Sequence, residues 1–525
     1  MGDTPASARN LKADVVVIGG GGSGMMAACE AAKTGARVIL LEKDVRVGGT
    51  TALSVGSIMA AGSDLQKREG IQDTPAAHAE DLAAVARKFG IEDNAGLRKL
   101  FTENSAESIR LLREMGVVFT DPMPQPPHRA SRLHQIIPGS RSYIHHLVRR
   151  CIELGVDIHA ATPAKALIAT GGRITGVEAM APDGGTLRIE ASRAVVLASG
   201  DVAGNADLLR TYAADGLEHV EPINPVCAGD GHTMAAAIGA KILARRDFGA
   251  AGLAQIRFIP PARRTWIQSV PPNRLVAGTM KLALKYLPAA LLRPFVLSYL
   301  TATLGPDRGL FENGALLVNK HGARFADELG GPNFNDVGSH GRSTTAADAD
   351  SRAPSVQLAR QPDKVGYLVF DEKLRRKFSA WPHFVSTAPG VAYAFMDDYR
   401  RTRPDLFQTG ATLDELAASV GFDAATLKAN IADSNERRTD ASKSLTEGPY
   451  YALGPVKSWV LVTPVGLAVS DRLEVLTEGG SVIPGLYAAG GVGQGGFSIT
   501  GHGHGLGWAF ASGLVAGRNA AATQA

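Results

Sequence analysis

The sequence predicts an α/β fold of more than one domain, with a parallel β-sheet that begins near the N-terminus. The chain has 525 residues, which is enough for two or three hydrophobic cores. Two apolar runs near the N-terminus flank a glycine cluster at residues 19–24, and further clusters lie at 48–56 and 479–517. These clusters do not recur with a period, which excludes collagen and solenoid repeats. They indicate backbone that lies close to a bulky group.

Composition and charge exclude several classes of protein. Apolar residues make up 45% of the chain and charged residues 20%, which is typical of a globular rather than a disordered protein. The 55 Lys and Arg residues nearly balance 51 Asp and Glu residues, so no nucleic-acid surface is predicted. Cys29, Cys151 and Cys227 form no CxxC pair, which argues against a disulfide framework, and we expect no resident metal. The few cysteines fit a reducing compartment, and we read no leader at the N-terminus, so we expect a cytoplasmic protein.

The first 42 residues have the pattern of a Rossmann-like βαβ unit. The run Ala13–Ile18 predicts a buried parallel strand, because strands covered on both faces are continuously apolar. Met25–Thr34 has helical composition, and Arg37–Leu41 predicts the second strand. The order strand, glycine turn, helix, strand therefore predicts a dinucleotide-binding domain.

The glycine turn and the acid that follows the second strand carry the ligand prediction. Gly19, Gly21 and Gly24 satisfy G-x-G-x-x-G. We expect the first to form a tight turn, the second to admit a pyrophosphate, and the third to let helix and strand pack closely. The helix N-terminus supplies N–H groups to the phosphates. Glu42 ends the second strand, where a carboxylate accepts hydrogen bonds from a ribose.

A second cluster of glycines and hydroxyls follows Glu42, where a nicotinamide enzyme would proceed to its next strand. Such a loop suits a longer ligand. Here the sequence resembles the fumarate reductase/succinate dehydrogenase flavoprotein family, including its 3-ketosteroid dehydrogenase relatives. The resemblance runs through nearly the whole chain in order. Its motifs are Glu42-Lys43 followed by Gly48-Gly49-Thr50, Gly70–Thr74, Ala194–Gly200, Gly229-Asp230-Gly231, Leu317–Glu328 and Pro484–Gly490.

The resemblance implies FAD as the cofactor, bound by a domain of the two-dinucleotide-binding flavoprotein type. It implies that residues 1–247 and 467–525 form this domain and that 248–466 form an inserted α+β cap. In the covalent branch of the family a histidine lies beside the Gly-Gly loop, but Thr50 and Thr51 stand here, so we expect non-covalent FAD. The expected FAD-binding residues are Gly19, Gly21, Gly22, Ser23, Gly24, Glu42, Lys43, Gly49, Thr50, Thr51, Gly56, Ala164, Ser199, Gly200, Asp230, Gly490, Gly491, Gly505 and Leu506.

The family either reduces activated C=C bonds or desaturates a C–C bond next to a carbonyl, and both reactions move a hydride through flavin N5. The fumarate-binding side chains do not carry over to this chain. The histidine that the family has at the start of the cap aligns within Asp247–Ile256, which contains none. The histidine near the end of the cap aligns near Leu467, and the Asn-Arg pair aligns near Ile499-Thr500, where these residue types are also missing. A buried dianion would be unpaired, at a cost of several kcal/mol. Fumarate is therefore a poor substrate candidate.

Three residues are the candidates for catalysis. The proton-donating arginine of the family aligns at or beside Arg352, with Arg342 as a rival and a solvated loop arginine as the alternative. The ketone-polarising tyrosine of the ketosteroid branch is missing. Instead, His502 and His504 lie between glycines, and imidazoles can transfer protons near neutral pH. Their spacing sends them apart in an extended segment, so we expect one to face the substrate. The alternative is that both only bind backbone.

The cap indicates an apolar substrate. Residues 275–304 are largely apolar, and their longest uncharged run, Pro294 to Pro306, is too short to span a bilayer as a helix. The stretch predicts a buried helical pair, an apolar gate over the active site, or a peripheral membrane contact. Residues 331–364 are polar and predict a long loop that acts as a lid or is flexible. The segment Asp371–Lys377 predicts a solvated charged surface.

These observations predict an FAD-dependent oxidoreductase acting on CH–CH bonds, which desaturates an apolar, cyclic or steroid-like ketone next to its carbonyl. The first alternative is a reductase of an activated C=C bond in an enone or unsaturated acid. The second is a flavin-binding electron-transfer subunit without its own substrate. The expected partners are an apolar small molecule and an unidentified electron acceptor or donor.

Overall fold

The computed structural model describes residues 9–262, 269–329, 352–388, 392–499 and 501–524. Most of the predicted lid, including Arg342, lies outside the described residues. The described end of that segment is not a continuous loop, because it contains a helix over Pro354–Leu358 and a 3-10 helix over Pro362–Lys364. The side chains of Val356 and Leu358 are buried, which explains why a mainly polar sequence still forms ordered turns there.

The described strands are from two to twelve residues long, and fourteen of them build the two main sheets. In chain order they are β1 (Arg9–Ile18), β2 (Val38–Leu41), β3 (Ser57–Met59), β4 (Val118–Phe119), β5 (Leu133–Ile137), β6 (Asp157–His159), β7 (Ala164–Thr170), β8 (Arg173–Met180), β9 (Thr186–Leu197), β10 (Glu221–Pro222), β11 (Ile242–Leu243), β12 (Ala254–Phe258), β13 (Leu316–Asn319), β14 (Gly366–Asp371), β15 (Ser386–Ala388), β16 (Ala392–Ala394), β17 (Phe407–Gly410), β18 (Tyr450–Val460), β19 (Gly466–Leu467), β20 (Glu474–Leu476) and β21 (Val482–Ala488).

The helices alternate with the strands in the first part of the chain and dominate the cap. In chain order they are α1 (Gly22–Ala32), α2 (Gly49–Leu53), α3 (Asp64–Arg68), α4 (Pro75–Lys88), α5 (Ala95–Met115), α6 (Arg141–Glu153), α7 (Ala206–Tyr212), α8 (Asp230–Ala236), α9 (Ala250–Leu253), α10 (Arg274–Tyr286), α11 (Ala289–Thr303), α12 (Arg308–Glu312), α13 (Pro354–Leu358), α14 (Glu372–Lys377), α15 (Met396–Thr402), α16 (Leu413–Val420), α17 (Ala424–Glu436) and α18 (His504–Ala522).

The first sheet has the strand order β20-β21-β9-β1-β2-β6, with a β7–β8 hairpin joined to β9. Strands β21, β9, β1, β2 and β6 are parallel to one another, whereas β20 and β8 pair antiparallel at β21 and β9. Residues 15–18 of β1 are buried because helices α1 and α18 cover the sheet. The helices approach closely: a Cβ atom on Gly513 or Gly517 would lie 2.3 Å from a backbone oxygen of α1. The predicted Rossmann-like α/β domain is confirmed.

The second sheet lies in the cap and has the order β10-β18-β14-β13, with β12 and β17 also paired to β18. Its side chains alternate between two hydrophobic cores. Leu368 and Phe370 of β14 point to one core, and Val369 points to the other. This period of two, with helices on both faces, is the predicted α+β cap. The exact division into 1–247 with 467–525 and 248–466 stays a prediction, because β10 pairs across it.

The predicted solvated surface at Asp371–Lys377 is wrong. Residues 372–377 form α14, and Asp371 and Glu372 are buried. Asp371 caps the helix by accepting a hydrogen bond from the backbone N–H of Leu374 at 3.0 Å. Glu372 accepts hydrogen bonds from Arg375, which holds the pKa of its carboxyl down at about 2. Charge pairing therefore lets a charged sequence pack against the sheet.

The apolar stretch at residues 275–304 forms α10 and α11, with only part of its apolar surface covered. Leu275 is 79% exposed, Leu282 58% and Leu291 59%, whereas Leu297 and Leu300 are buried. Of the three alternatives for this stretch, the buried helical pair agrees with the covered side of α11 but not with the exposed side chains of the pair, and the gate and the membrane contact stay predictions. No helix among the described residues is long and apolar enough to cross a membrane.

Candidate functional site

The glycine turn after β1 has the geometry that close packing requires. Gly19 has φ of +111°, and a Cβ atom on it would lie 2.3 Å from the carbonyl oxygen of Ala198. A Cβ atom on Gly24 would lie 1.9 Å from the carbonyl oxygen of Gly19. By contrast, a Cβ atom on Gly21 would meet nothing within 4 Å. Gly21 therefore borders open space at the start of α1, where the helix presents its backbone N–H groups.

Glu42 is buried at the end of β2 and is hydrogen-bonded on both oxygens. Its Oε2 accepts from the backbone N–H of Gly20 at 2.8 Å, and its Oε1 accepts from that of Asp44 at 2.8 Å. Each carboxylate oxygen has further lone pairs that can accept from a ribose hydroxyl. The carboxylate therefore fixes the position of the glycine turn as well as lining the site.

A cavity of about 1150 Å³ begins at this turn and extends between the two sheets. This volume is at the upper end of small-molecule sites and leaves room for a dinucleotide together with a substrate. Of the expected FAD-binding residues, only Gly24 does not line it; Gly24 packs behind the turn. Those that do are Gly19, Gly21, Gly22, Ser23, Glu42, Lys43, Gly49, Thr50, Thr51, Gly56, Ala164, Ser199, Gly200, Asp230, Gly490, Gly491, Gly505 and Leu506.

Two interactions join segments that are distant in the sequence across the wall of this cavity. Lys43 donates a hydrogen bond to the carboxylate of Asp230 at 2.5 Å. Thr50 lies 3.4 Å from the sulfur of Cys227. These contacts hold the loop after β2 and the start of α2 against residues 227–230 at the start of α8, so the second glycine cluster is positioned along the cavity rather than projecting into solvent. These groups can hold the central part of FAD.

Sequence reasoning missed Asp201, which also lines the cavity. Its carboxylate accepts hydrogen bonds from the backbone N–H groups of Thr463 at 2.7 Å and Ala203 at 3.1 Å. Burial nevertheless raises its pKa to about 6. The residue follows Ser199-Gly200 directly, so an acid after a strand-ending glycine was the signal that pointed to it. Asp201 ties β9 to the segment that returns from the cap.

His502 lines the cavity, and the structure brings Arg257 close to it. Burial lowers the pKa of His502, and the positive charge of Arg257 lowers it further, so the imidazole is neutral near pH 7. Arg257 lies on β12 and donates a hydrogen bond to the side-chain oxygen of Gln255 at 2.8 Å. The segment expected to hold the cap histidine, Asp247–Ile256, ends one residue before this arginine.

His504 and Arg352 lie away from the cavity, contrary to the roles expected for them. His504 is the first residue of α18, is fully buried, and lies 3.2 Å from His78 between their Nε2 atoms. It points away because the turn into α18 sends residues 502 and 504 to opposite sides. Arg352 is exposed in the turn before α13 and does not line the cavity.

The remaining wall of the cavity is mostly apolar and comes from the cap. Its aromatic residues are Phe258, Trp381, Phe384, Tyr393 and Trp459, and its aliphatic residues include Leu253, Leu300 and Leu304. Polar groups are few, and Arg257, Gln255 and Arg308 are among them. An apolar wall with a small number of polar groups orients a largely apolar ligand.

Comparison with known proteins agrees with this geometry. The model of the FAD binding domain family matches residues 14–261 and 295–507. A fumarate reductase (cytochrome) of Shewanella frigidimarina is 27% identical over 92% of this chain and 72% of its own length. A 4-oxocyclohexanecarboxylate 2-dehydrogenase of Sinomonas cyclohexanicum is 24% identical over 97% of this chain and 92% of its own length.

Solved structures share the fold. The open conformation of a flavocytochrome c3 fumarate reductase has a TM-score of 0.69 and 24% identity, and the match covers 97% of this chain and 78% of that one. A 3-ketosteroid-Δ4-(5α)-dehydrogenase of Rhodococcus jostii RHA1 has a TM-score of 0.58 and 23% identity, with 97% of both chains covered. With the glycine turn, Glu42 and the cavity in place, this chain belongs to the FAD binding domain family and is an FAD-dependent oxidoreductase.

Proposed function

We propose that this enzyme introduces a C=C bond next to the carbonyl group of an apolar cyclic ketone. The observation that carries the proposal is a neutral imidazole, His502, in a cavity whose cap side is mostly apolar. Removal of a hydride from the β carbon requires that a base take the proton from the α carbon. A neutral imidazole can accept that proton, whereas a protonated one cannot.

Arg257 complements His502 in this proposal. A guanidinium remains charged at any pH that an enzyme meets, so it is a fixed donor rather than a base. Placed next to the imidazole, it stabilises the negative charge that develops on the carbonyl oxygen, and donors of this kind contribute a few kcal/mol in a transition state. Bound FAD supplies the hydride acceptor. The name of the Sinomonas relative, a dehydrogenase of an oxocyclohexane acid, supports a cyclic ketone.

The second candidate function is reduction of an activated C=C bond in an enone or an unsaturated acid. Arg257 favours this candidate, because one cation can pair with one carboxylate, and the name of the Shewanella relative supports the direction. The reaction needs a proton donor, so His502 would have to be protonated before turnover. Its lowered pKa opposes that, which is why we place reduction second.

The exposed face of α10 and α11 supports an apolar substrate that arrives from a lipid surface. The most exposed apolar side chains of the pair are Leu275, Leu282, Tyr286 and Leu291. Leu300, on the same helix pair, lines the cavity, so the exposed face and the cavity are continuous through one element. Exposed apolar patches of this kind mark contacts with membranes or partners. We propose a peripheral membrane contact here.

Anaerobic mixing experiments test the direction of the reaction. Oxidised enzyme is mixed with a saturated cyclic ketone, and photoreduced enzyme is mixed with the matching enone. Loss of the yellow absorbance with the ketone supports the dehydrogenase, and its return with the enone alone supports the reductase. If neither compound changes the spectrum, the result supports the flavin-binding electron-transfer subunit and counts against both proposals.

A further inference from the structure

Three histidines meet in a buried cluster outside the cavity. His78 lies on α4, His128 in the loop between β4 and β5, and His504 at the start of α18. One ligand atom from each lies within 4.8 Å of the others. His78 and His504 are fully buried, and only 4% of the side chain of His128 is exposed. Three elements distant in the sequence therefore direct imidazoles at one point.

The spacing fits a tetrahedral metal ion. The Nε2 atoms of His78 and His504 are 3.2 Å apart. Two imidazole nitrogens bound to one zinc ion at 2.0–2.1 Å and a tetrahedral angle would be about 3.3 Å apart. The third ring needs a displacement of at most about 1.5 Å to complete the triangle. Side-chain rotation within the loop that carries His128 can supply this displacement.

The charged side chains beside the cluster pair with one another. Arg132 lies 3.3 Å from His128 Nδ1, but its guanidinium is bound by Asp73 and Asp81, at 2.7 Å and 2.5 Å. Arg129 also binds Asp81, at 2.7 Å, so these four side chains together carry no net charge. Asp81 itself lies 3.9 Å from Nδ1 of His128, which is too long for a hydrogen bond.

The contact between His78 and His504 joins their Nε2 atoms at 3.2 Å, and a metal ion at this point would take the place of the proton that the two nitrogens share. Neutral imidazole is the form that binds zinc.

We propose that His78, His128 and His504 bind one divalent transition-metal ion, zinc in the first instance, with water as the fourth ligand. Imidazole ligands suit zinc, and three protein ligands leave the fourth position of a tetrahedral ion to water. The ion would join α4, the β4–β5 loop and the N-terminus of α18. His502 precedes that N-terminus by two residues, so the ion would also fix the backbone that carries the candidate base.

The test is metal analysis of the FAD-loaded enzyme, produced in zinc-supplemented medium and purified without a metal-affinity column. We expect about one zinc ion per chain. The His128→Gln variant should lose at least about nine-tenths of the zinc and keep its FAD. The His134→Gln variant is the matched control, because His134 is equally buried but bonds to Ser63 and to backbone. It should keep the metal.

Zinc below about a tenth of an equivalent in the parent enzyme overturns the proposal, as does zinc retained in His128→Gln. If that variant does not fold, cobalt decides instead. Parent enzyme produced with cobalt should show the strong visible bands of a tetrahedral ion, and a strong chelator should remove the bands and lower the melting temperature. An enzyme that takes up no cobalt, or whose cobalt spectrum is octahedral, contradicts the site.

Discussion

Glu42 holds the backbone N–H of Gly20 at 2.8 Å, which ties the end of β2 to the turn after β1. The carboxylate therefore has two roles, because it fixes the turn and lines the cavity. We expect Glu42→Ala to weaken FAD binding by about 1–3 kcal/mol, or roughly 5- to 150-fold. Titration of apoprotein with FAD measures this change. Unchanged affinity would remove Glu42 from the site.

Alanine substitutions at Gly21 and Gly24 distinguish an effect on ligand binding from an effect on packing. Gly21→Ala meets no atom within 4 Å and should leave the melting temperature of the apoprotein unchanged, while the added methyl group blocks the pyrophosphate. Gly24→Ala places its Cβ atom 1.9 Å from the oxygen of Gly19 and should destabilise the apoprotein itself. Melting curves with and without FAD distinguish the two. Equal destabilisation by both substitutions would contradict this assignment.

Buried neutral histidines should make the fold acid-labile. The pKa values of His134 and His232 are lowered by burial from 6.5 to about 4. The unfolded chain then binds more protons than the folded chain, so stability is fully present above pH 6.5 and falls as the pH drops towards 4. Asp201 opposes this trend, because its raised pKa makes the folded chain bind a proton first.

Urea unfolding at several pH values measures this dependence. The His232→Asn variant removes one titrating group, so its stability should fall less steeply between pH 6.5 and 4. A stability that stays level over this interval in the parent enzyme would show that these rings are protonated in the folded state.

Two leucines on α11 test the exposed face. Leu291 is 59% exposed and Leu297 is 1% exposed. We expect Leu291→Asp to keep the melting temperature and FAD content but to reduce binding to phospholipid vesicles. Leu297→Asp should unfold the cap, because a buried charge without a partner costs several kcal/mol. Vesicle sedimentation measures the binding. Equal sedimentation of the parent and Leu291→Asp would rule out a membrane contact through this face.

Local patterns predicted the parts of the site that depend on local backbone. Gly19, Gly21 and Gly24 could be predicted from the sequence, because their spacing alone indicates a turn between strand and helix. The cluster of His78, His128 and His504 could not be predicted from the sequence, because the three residues come together only through tertiary packing. Arg257 could not be predicted for a similar reason, because only tertiary packing shows that its side chain on β12 lines the cavity together with His502.

Surface and core were hardest to separate in charged or apolar stretches. Asp371 and Glu372 are buried because each finds hydrogen-bond donors in three dimensions. Leu282 and Leu291 are exposed although their neighbours are apolar. Burial depends on what packs against a segment, and composition does not contain that information.

The rate of flavin reduction by a saturated cyclic ketone, compared between the parent enzyme and His502→Ala, tests the central claim most directly. With equal FAD content, the variant should be slower by at least about a hundredfold, because it lacks the base for the α proton. The rate in the parent should also rise with pH through a group that the variant lacks. His504→Ala, whose side chain lies outside the cavity, should not remove that group. If His502→Ala reduces its flavin as fast as the parent and with the same pH dependence, His502 is not the base and the proposed mechanism is wrong.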